Sequence, residues 1–236
     1  MAKNILVASG KGGTGKSVFA VNMGALLARR GFKVLLIDAD QGHGSLDLYL
    51  GVQNSCVYNI QDVAEGLCTI AQGITDTDID TLKLIPASPD EEDIIFDARV
   101  ARILNAAFDY IITDAPSTHS KIKELFAIAD TMVITSTCDY ASLRSCDRLS
   151  MIAKDSGITD TMCVLTKARV DRMGNDGYIS FQDIKYLLHS KVIGIIPQSD
   201  SIEESVNSGK PAILGGEMVL LDNFVKICER IINRKL

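Results

Sequence analysis

The run Gly10-Lys11-Gly12-Gly13-Thr14-Gly15-Lys16-Ser17 satisfies the pattern G-x-x-x-x-G-K-[ST]. These residue types at this spacing suit one chemistry, the gripping of an anionic phosphate chain. Glycines let backbone N–H groups close around phosphate oxygens where a Cβ would block the wrap. The start of the following helix adds partial positive charge. Lys16 is placed to reach the β- and γ-phosphates, and the Ser17 hydroxyl to ligate Mg²⁺. Lys11 adds a second cation inside the loop. The competing reading, a glycine-rich turn that happens to precede a helix, leaves the Lys-Ser pair without a reason.

Carboxylates recur where a phosphate-bound metal needs them. Asp38-Ala39-Asp40-Gln41-Gly42 follows one apolar run and Asp114-Ala115-Pro116 follows another. Mg²⁺ favours one or two carboxylates plus waters and phosphate oxygens. Asp38 and Asp114 suit that role through waters, and Asp40 is placed to orient an attacking water. Aspartate at a strand end also serves as a turn or N-cap residue. That alternative weakens once the phosphate loop is granted.

The elements that must carry these residues alternate along the whole chain. Apolar runs predict strands at Ile5–Ala8, Val34–Ile37, Leu82–Ile85, Tyr110–Thr113, Met132–Thr135, Met162–Leu165 and Val192–Ile196. Helical patterns span Val18–Arg30, Asp97–Ala107, Ile122–Ala129, Leu143–Lys154 and Phe181–His189. The runs are continuous rather than alternating, so the strands are buried on both faces. Strand–helix alternation predicts a single α/β domain over 1–236: three layers, with a mostly parallel sheet flanked by helices on both faces. In such sheets ligands bind beyond the carboxyl ends of the strands, where the loop and the aspartates fall.

Composition narrows the function further. The chain has 236 residues and a net charge of −6, an unpromising balance for a protein that blankets DNA. Six cysteines include no C-x-x-C pair, which predicts free thiols in a reducing cytosol. No apolar stretch approaches the length of a spanning helix, and no signal-peptide pattern opens the chain. His43, His119 and His189 lack metal-ligand spacing, and the run Asp90-Glu91-Glu92-Asp93 reads as a solvated helix start.

With Lys11 directly after the first glycine, the loop resembles the deviant Walker A motif of the ParA/MinD ATPase superfamily. In that family the extra lysine reaches across a dimer interface to the partner's nucleotide. Asp38-Ala39-Asp40 followed by Gly-x-x-x-Leu-Asp over Gly42 to Asp47 resembles the switch I segment of the MinD branch, and Asp114-Ala115-Pro116 its switch II. The stretches 129–148 and 195–214 resemble the branch as well, so the likeness covers about residues 3 to 232. It implies P-loop contacts from Gly10 through Ser17, adenine contacts from Thr166, Lys167, Pro197 and Gln198, and catalysis by Lys11, Lys16 and Asp40. It implies metal coordination by Ser17, with Asp38 and Asp114 outside it. The chain departs from the branch at Ser45, at Ser117-Thr118 and at Thr166.

The resemblance further implies slow, partner-stimulated hydrolysis of ATP with Mg²⁺, an ATP-bound homodimer, MinC-like and MinE-like partners, and placement of the division septum. Cytoplasmic localisation follows, with peripheral contact at the membrane's inner face and no direct DNA binding. The terminal helix, 219–236, gathers Phe224, Val225, Ile227, Cys228, Ile231, Ile232 and Leu236 on one half. A stripe of this kind predicts packing on the sheet; the alternative is a basic amphipathic helix lying on anionic lipid. The other functions in play are a ParA-type partition ATPase, a pilus- or flagellum-positioning relative, a P-loop metabolic ligase and an iron–sulphur carrier. No cysteine stands in Asp114-Ala115-Pro116-Ser117 to serve the last of these, although Cys138 and Cys146 lie close in sequence.

Overall fold

The computed structural model describes residues 1–90, 98–116, 122–123 and 125–233. All seven expected strands form, each extended by a residue or more except one: β1 Lys3–Ser9, β2 Val34–Asp38, β4 Leu82–Ile85, β5 Tyr110–Asp114, β6 Thr131–Thr137, β7 Thr161–Ala168 and β8 Lys191–Pro197. A two-residue strand, β3 Thr75–Asp76, adds an antiparallel edge that is too short for any periodicity to announce. The strand order is β3-β4-β2-β5-β1-β6-β7-β8, and every other pairing is parallel. This is the expected three-layer architecture, with β1 near the centre and its carboxyl end feeding the phosphate loop.

Side-chain alternation along β1 divides the core. Ile5 and Val7 join the cluster on one face, while Leu6 and Ala8 join the other. The first face is covered by α1, Lys16–Arg29, and by the last described helix, Met218–Ile232, whose Phe224 stacks on Phe19 with ring centroids 6.1 Å apart. Phe224, Ile227, Cys228 and Ile231 are buried there with Val225 and Ile232 partly buried beside them, so the described part of the terminal stripe packs on the sheet. Each such side chain contributes about 1.5–3 kcal/mol of burial. The second face is covered by helices at Ala98–Ala107, Tyr140–Asp155 and Phe181–Leu187.

Local differences from the expected elements have local causes. α1 begins at Lys16, two residues before the apolar pattern, because the phosphate loop feeds directly into it. Ile122–Ala129 was expected as one helix, but its end, Phe126–Ile128, is a 3₁₀ turn. Short helices at Leu46–Tyr49, Ile60–Glu65 and Ile70–Gly73, and a longer one at Asp200–Ser208, lacked an apolar period. Capping boxes at Asn59/Asp62 and Thr69/Gln72 are the signals that mark two of them. Ser117, Thr118, His119, Glu91, Glu92, Asp93 and Leu236 lie outside the described residues. Cys146, Cys163 and Cys228 are buried thiols, and Cys56, Cys68 and Cys138 are half-buried. His43 and His189 are exposed, and His189 Nδ1 lies 3.1 Å from the Asp147 carboxylate. Among the described residues no helix is long and apolar enough to cross a membrane.

Candidate nucleotide site

The loop from Gly10 to Gly15 joins β1 to α1, and its glycines do different work. A Cβ on Gly10 would sit 2.5 Å from the Ser145 carbonyl carbon, so helix 140–155 packs directly on the loop. Gly13 and Gly15 adopt left-handed backbone, φ 76° and 79°. A Cβ on Gly12 would meet nothing within 4 Å. The loop is pinned from below. Thr14 Oγ1 lies 2.9 Å from Thr135 Oγ1 on β6, and Thr166 on β7 donates its hydroxyl to the Thr14 carbonyl.

Gly15 caps α1 without any side-chain hydrogen bond. The helix's first N–H groups therefore lack a side-chain acceptor, an arrangement that suits an anion. Beside them, the Lys16 ammonium is 6% exposed and reaches Asp114 Oδ1 at 2.8 Å and Asp40 Oδ2 at 3.6 Å. Burial works against that charge, but Asp114, Asp40 and Asp38 outweigh it and hold the Lys16 pKa above the ordinary lysine value.

The carboxylates crowd one edge. Asp38 and Asp114 stand opposite each other in the β2–β5 register. Burial, reinforced by the Asp114 charge, lifts Asp38 to about 6, against the pull of backbone N–H groups from Leu46, Ser45 and Asp40. Burial likewise raises Asp114, while Lys16 and Ser17 draw it back. Asp114 Oδ2 is buried and lacks a hydrogen-bond partner among the described residues. Crowded carboxylates, an unpartnered carboxylate oxygen and the neighbouring Ser17 hydroxyl suit a divalent cation held partly by phosphate. The residues present therefore fit Mg²⁺ and a nucleotide phosphate chain. Asp38 also fastens the loop that carries Asp40. Its oxygens accept from the backbone N–H of Asp40 at 3.1 Å, Ser45 at 2.8 Å and Leu46 at 3.0 Å.

A cavity of about 510 Å³ opens over the loop, walled by Lys16, Ser17, Asp40, Tyr49, Lys167 and Glu203 among others. A pocket of about 140 Å³ adjoins it, sharing Gly15, Lys167 and Glu203 and adding Phe19, Thr166, Pro197 and Gln198. The first has the volume of a ligand site, and the second is lined mainly by apolar surface suited to a planar base. Gly13, Thr14, Gly15, Lys16, Ser17, Thr166, Lys167, Pro197 and Gln198 thus line one continuous space. Gly10, Lys11 and Gly12 do not line it, and Lys11 is exposed. Thr166 lines the second pocket, and its hydroxyl also donates to the loop carbonyl. Lys167 is the one described non-glycine residue with positive φ, 51°. Such backbone costs about 1–2 kcal/mol and gathers at functional sites. Tyr49, Ile202, Glu203, Val206 and Asn207 were missed, because they ride on the helices at 46–49 and 200–208. The readable signals were the acidic first turn at Asp200 and Glu203 and the Gly209 stop.

Comparison with known proteins agrees with this geometry. The family model for the CobQ/CobB/MinD/ParA nucleotide binding domain matches residues 5–212. The septum site-determining protein MinD of Synechocystis is 34% identical over 91% of this chain and 83% of its own. That of Neisseria meningitidis is 30% identical over 100% of this chain and 94% of its own. Among solved structures, the MinC:MinD cell division protein complex of Aquifex aeolicus superposes with TM-score 0.90 at 27% identity, covering 100% of this chain and 97% of that one. Fold, loop and relatives together place the chain in the MinD branch of the ParA/MinD family of P-loop ATPases.

Proposed function

We propose that this protein is an ATP-dependent dimerising switch in the spatial control of cell division. The observation that carries the reading is the buried Lys16 ammonium at the uncapped start of α1, held between Asp114 and Asp40. The loop's N–H groups and Lys16 would bind the phosphates, and Ser17 would ligate Mg²⁺ with Asp114 and Asp38 behind it. Bound Mg²⁺ would supply charge neutralisation at the transferring phosphoryl group. Asp40 would orient the water that attacks it. When phosphate arrives, Lys16 must leave Asp40, which frees that carboxylate for the water. Lys11, an exposed residue of the loop, would serve a second protomer's phosphates rather than its own. Ordering of the segment after Asp38 would then create a partner surface, and hydrolysis would release it.

The chain offers lysines, a metal site and one orienting carboxylate, a set that supports slow intrinsic turnover raised by a partner. The Aquifex aeolicus complex supports a MinC-like partner, and a MinE-like stimulator completes the reading. Localisation is cytoplasmic with peripheral contact at the membrane's inner face, and a net charge of −6 argues against direct DNA binding.

Light scattering after size exclusion tests the proposal on an Asp40→Ala variant. A dimer with ATP and a monomer with ADP is expected, and Lys11→Ala should abolish the dimer while nucleotide still binds. The same mass with both nucleotides would contradict the switch.

A further inference from the structure

The phosphate-loop cavity and the base pocket meet at the residues they share: Gly15, Val18, Lys167, Ile202 and Glu203. A nucleotide laid through both spaces, phosphates on the loop and base against Phe19 and Pro197, has its sugar at that junction, because the sugar joins the two. The junction therefore decides which sugar the site accepts. Val18 and Ile202 present apolar surface there, which suits the C–H face of a furanose ring. Lys167 and Glu203 bring the polar side chains, and they differ in what they can recognise.

The hydroxyl edge of ribose offers two O–H donors side by side. The Lys167 ammonium is a donor only, so it suits phosphate oxygens. The Glu203 carboxylate is an acceptor only, with two oxygens that can take both hydroxyl protons at once. Among the described residues neither side chain makes a hydrogen bond or an ion pair, so both charges are left to a ligand. The helix at 200–208 sets the direction. Ile202, Glu203, Val206 and Asn207 line the cavity, which is one face of a helical turn, and Glu204 falls off it. The competing use of Glu203 is to complement the start of its own helix, but Asp200 already stands in that first turn.

We propose that Glu203 reads the ribose hydroxyls of the bound nucleotide and makes this chain selective for nucleotides with a free 2′,3′-diol. The inference rests on the nucleotide reading of the cavity and adds the residue that chooses the sugar. A deoxy sugar forfeits an O–H donor, and a 2′-phosphate sets negative charge against the carboxylate. The same carboxylate repels the phosphates that lie along the cavity. Its removal thus has two opposite effects on affinity, and comparing a diol with a sugar that lacks one isolates the first.

The test is calorimetry on the full chain with magnesium present, titrating ADP and 2′,3′-dideoxy-ADP into the wild type and Glu203→Ala. Glu203 is exposed and unpartnered, and alanine favours helix, so the variant keeps its fold. The wild type should bind ADP at least about tenfold more tightly than the dideoxy nucleotide, the effect of charge-assisted hydrogen bonds in contact with water. In Glu203→Ala that ratio should fall below about twofold. Equal binding of the two nucleotides by the wild type would overturn the inference. So would a variant that keeps the wild-type ratio while both nucleotides bind more tightly, since Glu203 would then only repel phosphate. If the wild type binds no ADP, the nucleotide reading itself fails; if ADP binds and the ratio is flat, the inference alone falls.

Discussion

The two ends of the nucleotide cavity are held by different forces. At the phosphate end, the buried charges of Lys16 and Asp114 meet beside a half-buried Asp40, and Gly13 and Gly15 turn the loop through left-handed backbone. At the base end, Phe19, Ile196, Pro197 and Ile202 supply mainly apolar wall, and the Thr166 hydroxyl is turned away to hold the loop. Charged groups in a buried setting tolerate few substitutions, whereas an apolar wall accepts any side chain of suitable volume. Affinity should therefore concentrate at the phosphate end, with the base end adding shape.

Substitutions should grade along this axis. Lys16→Ala leaves Asp114 buried without its cation. It should cost about 3–5 kcal/mol in chemical denaturation and lower Mg-ATP affinity by at least about a hundredfold in calorimetry. A variant that kept wild-type stability would show that the pair carries no weight. Gly10→Ala drives a methyl group against the Ser145 backbone, where a Cβ would stand 2.5 Å from the carbonyl carbon. A loss of about 2–3 kcal/mol is expected in the same unfolding assay, and an unchanged midpoint would deny that helix 140–155 braces the loop.

The pH response probes the crowded carboxylates. Burial raises Asp38 from 3.8 to about 6, so the folded state holds that proton more tightly than the unfolded chain does. The group's contribution is therefore gained as pH falls from above 6 toward 4 and is absent at higher pH. Stability of the wild type relative to Asp38→Asn should rise by about 2 kcal/mol across that window. A flat difference would mean that Asp38 is not strained by its neighbours. Thr166→Val removes the donor to the Thr14 carbonyl and should cost about 1 kcal/mol with a several-fold loss of ATP affinity. Gln198→Ala, at the base end, should change affinity less than about twofold, because its Oε1 serves Arg169 at 3.3 Å on the surface. A larger loss there than at Thr166 would invert the comparison.

The same contrast explains what the sequence revealed. Continuous apolar runs located all seven parallel strands, because two-sided burial leaves no polar option at those positions. The phosphate loop was legible because each residue type answers to charge or backbone conformation. The helices at 46–49 and 200–208 lacked an apolar period, and the placing of one on the other is tertiary: Gly51 and Gly209 approach so closely that a Cβ on Gly209 would lie 2.8 Å from Gly51 Cα. Nothing in either local sequence specifies that contact. Tyr49 and Glu203, which wall the cavity from those helices, stayed hidden for the same reason. Thr166 lines the base-end pocket and also braces the loop, and the sequence announces only that a threonine stands there.

Calorimetry with magnesium present, comparing ATP, ADP and adenosine on the wild-type chain, tests the central claim most directly. Both nucleotides should bind one per protomer with ready heat, and adenosine should give no measurable heat at concentrations that saturate ADP. Adenosine binding as tightly as ATP would contradict a site that grips its ligand by the phosphates.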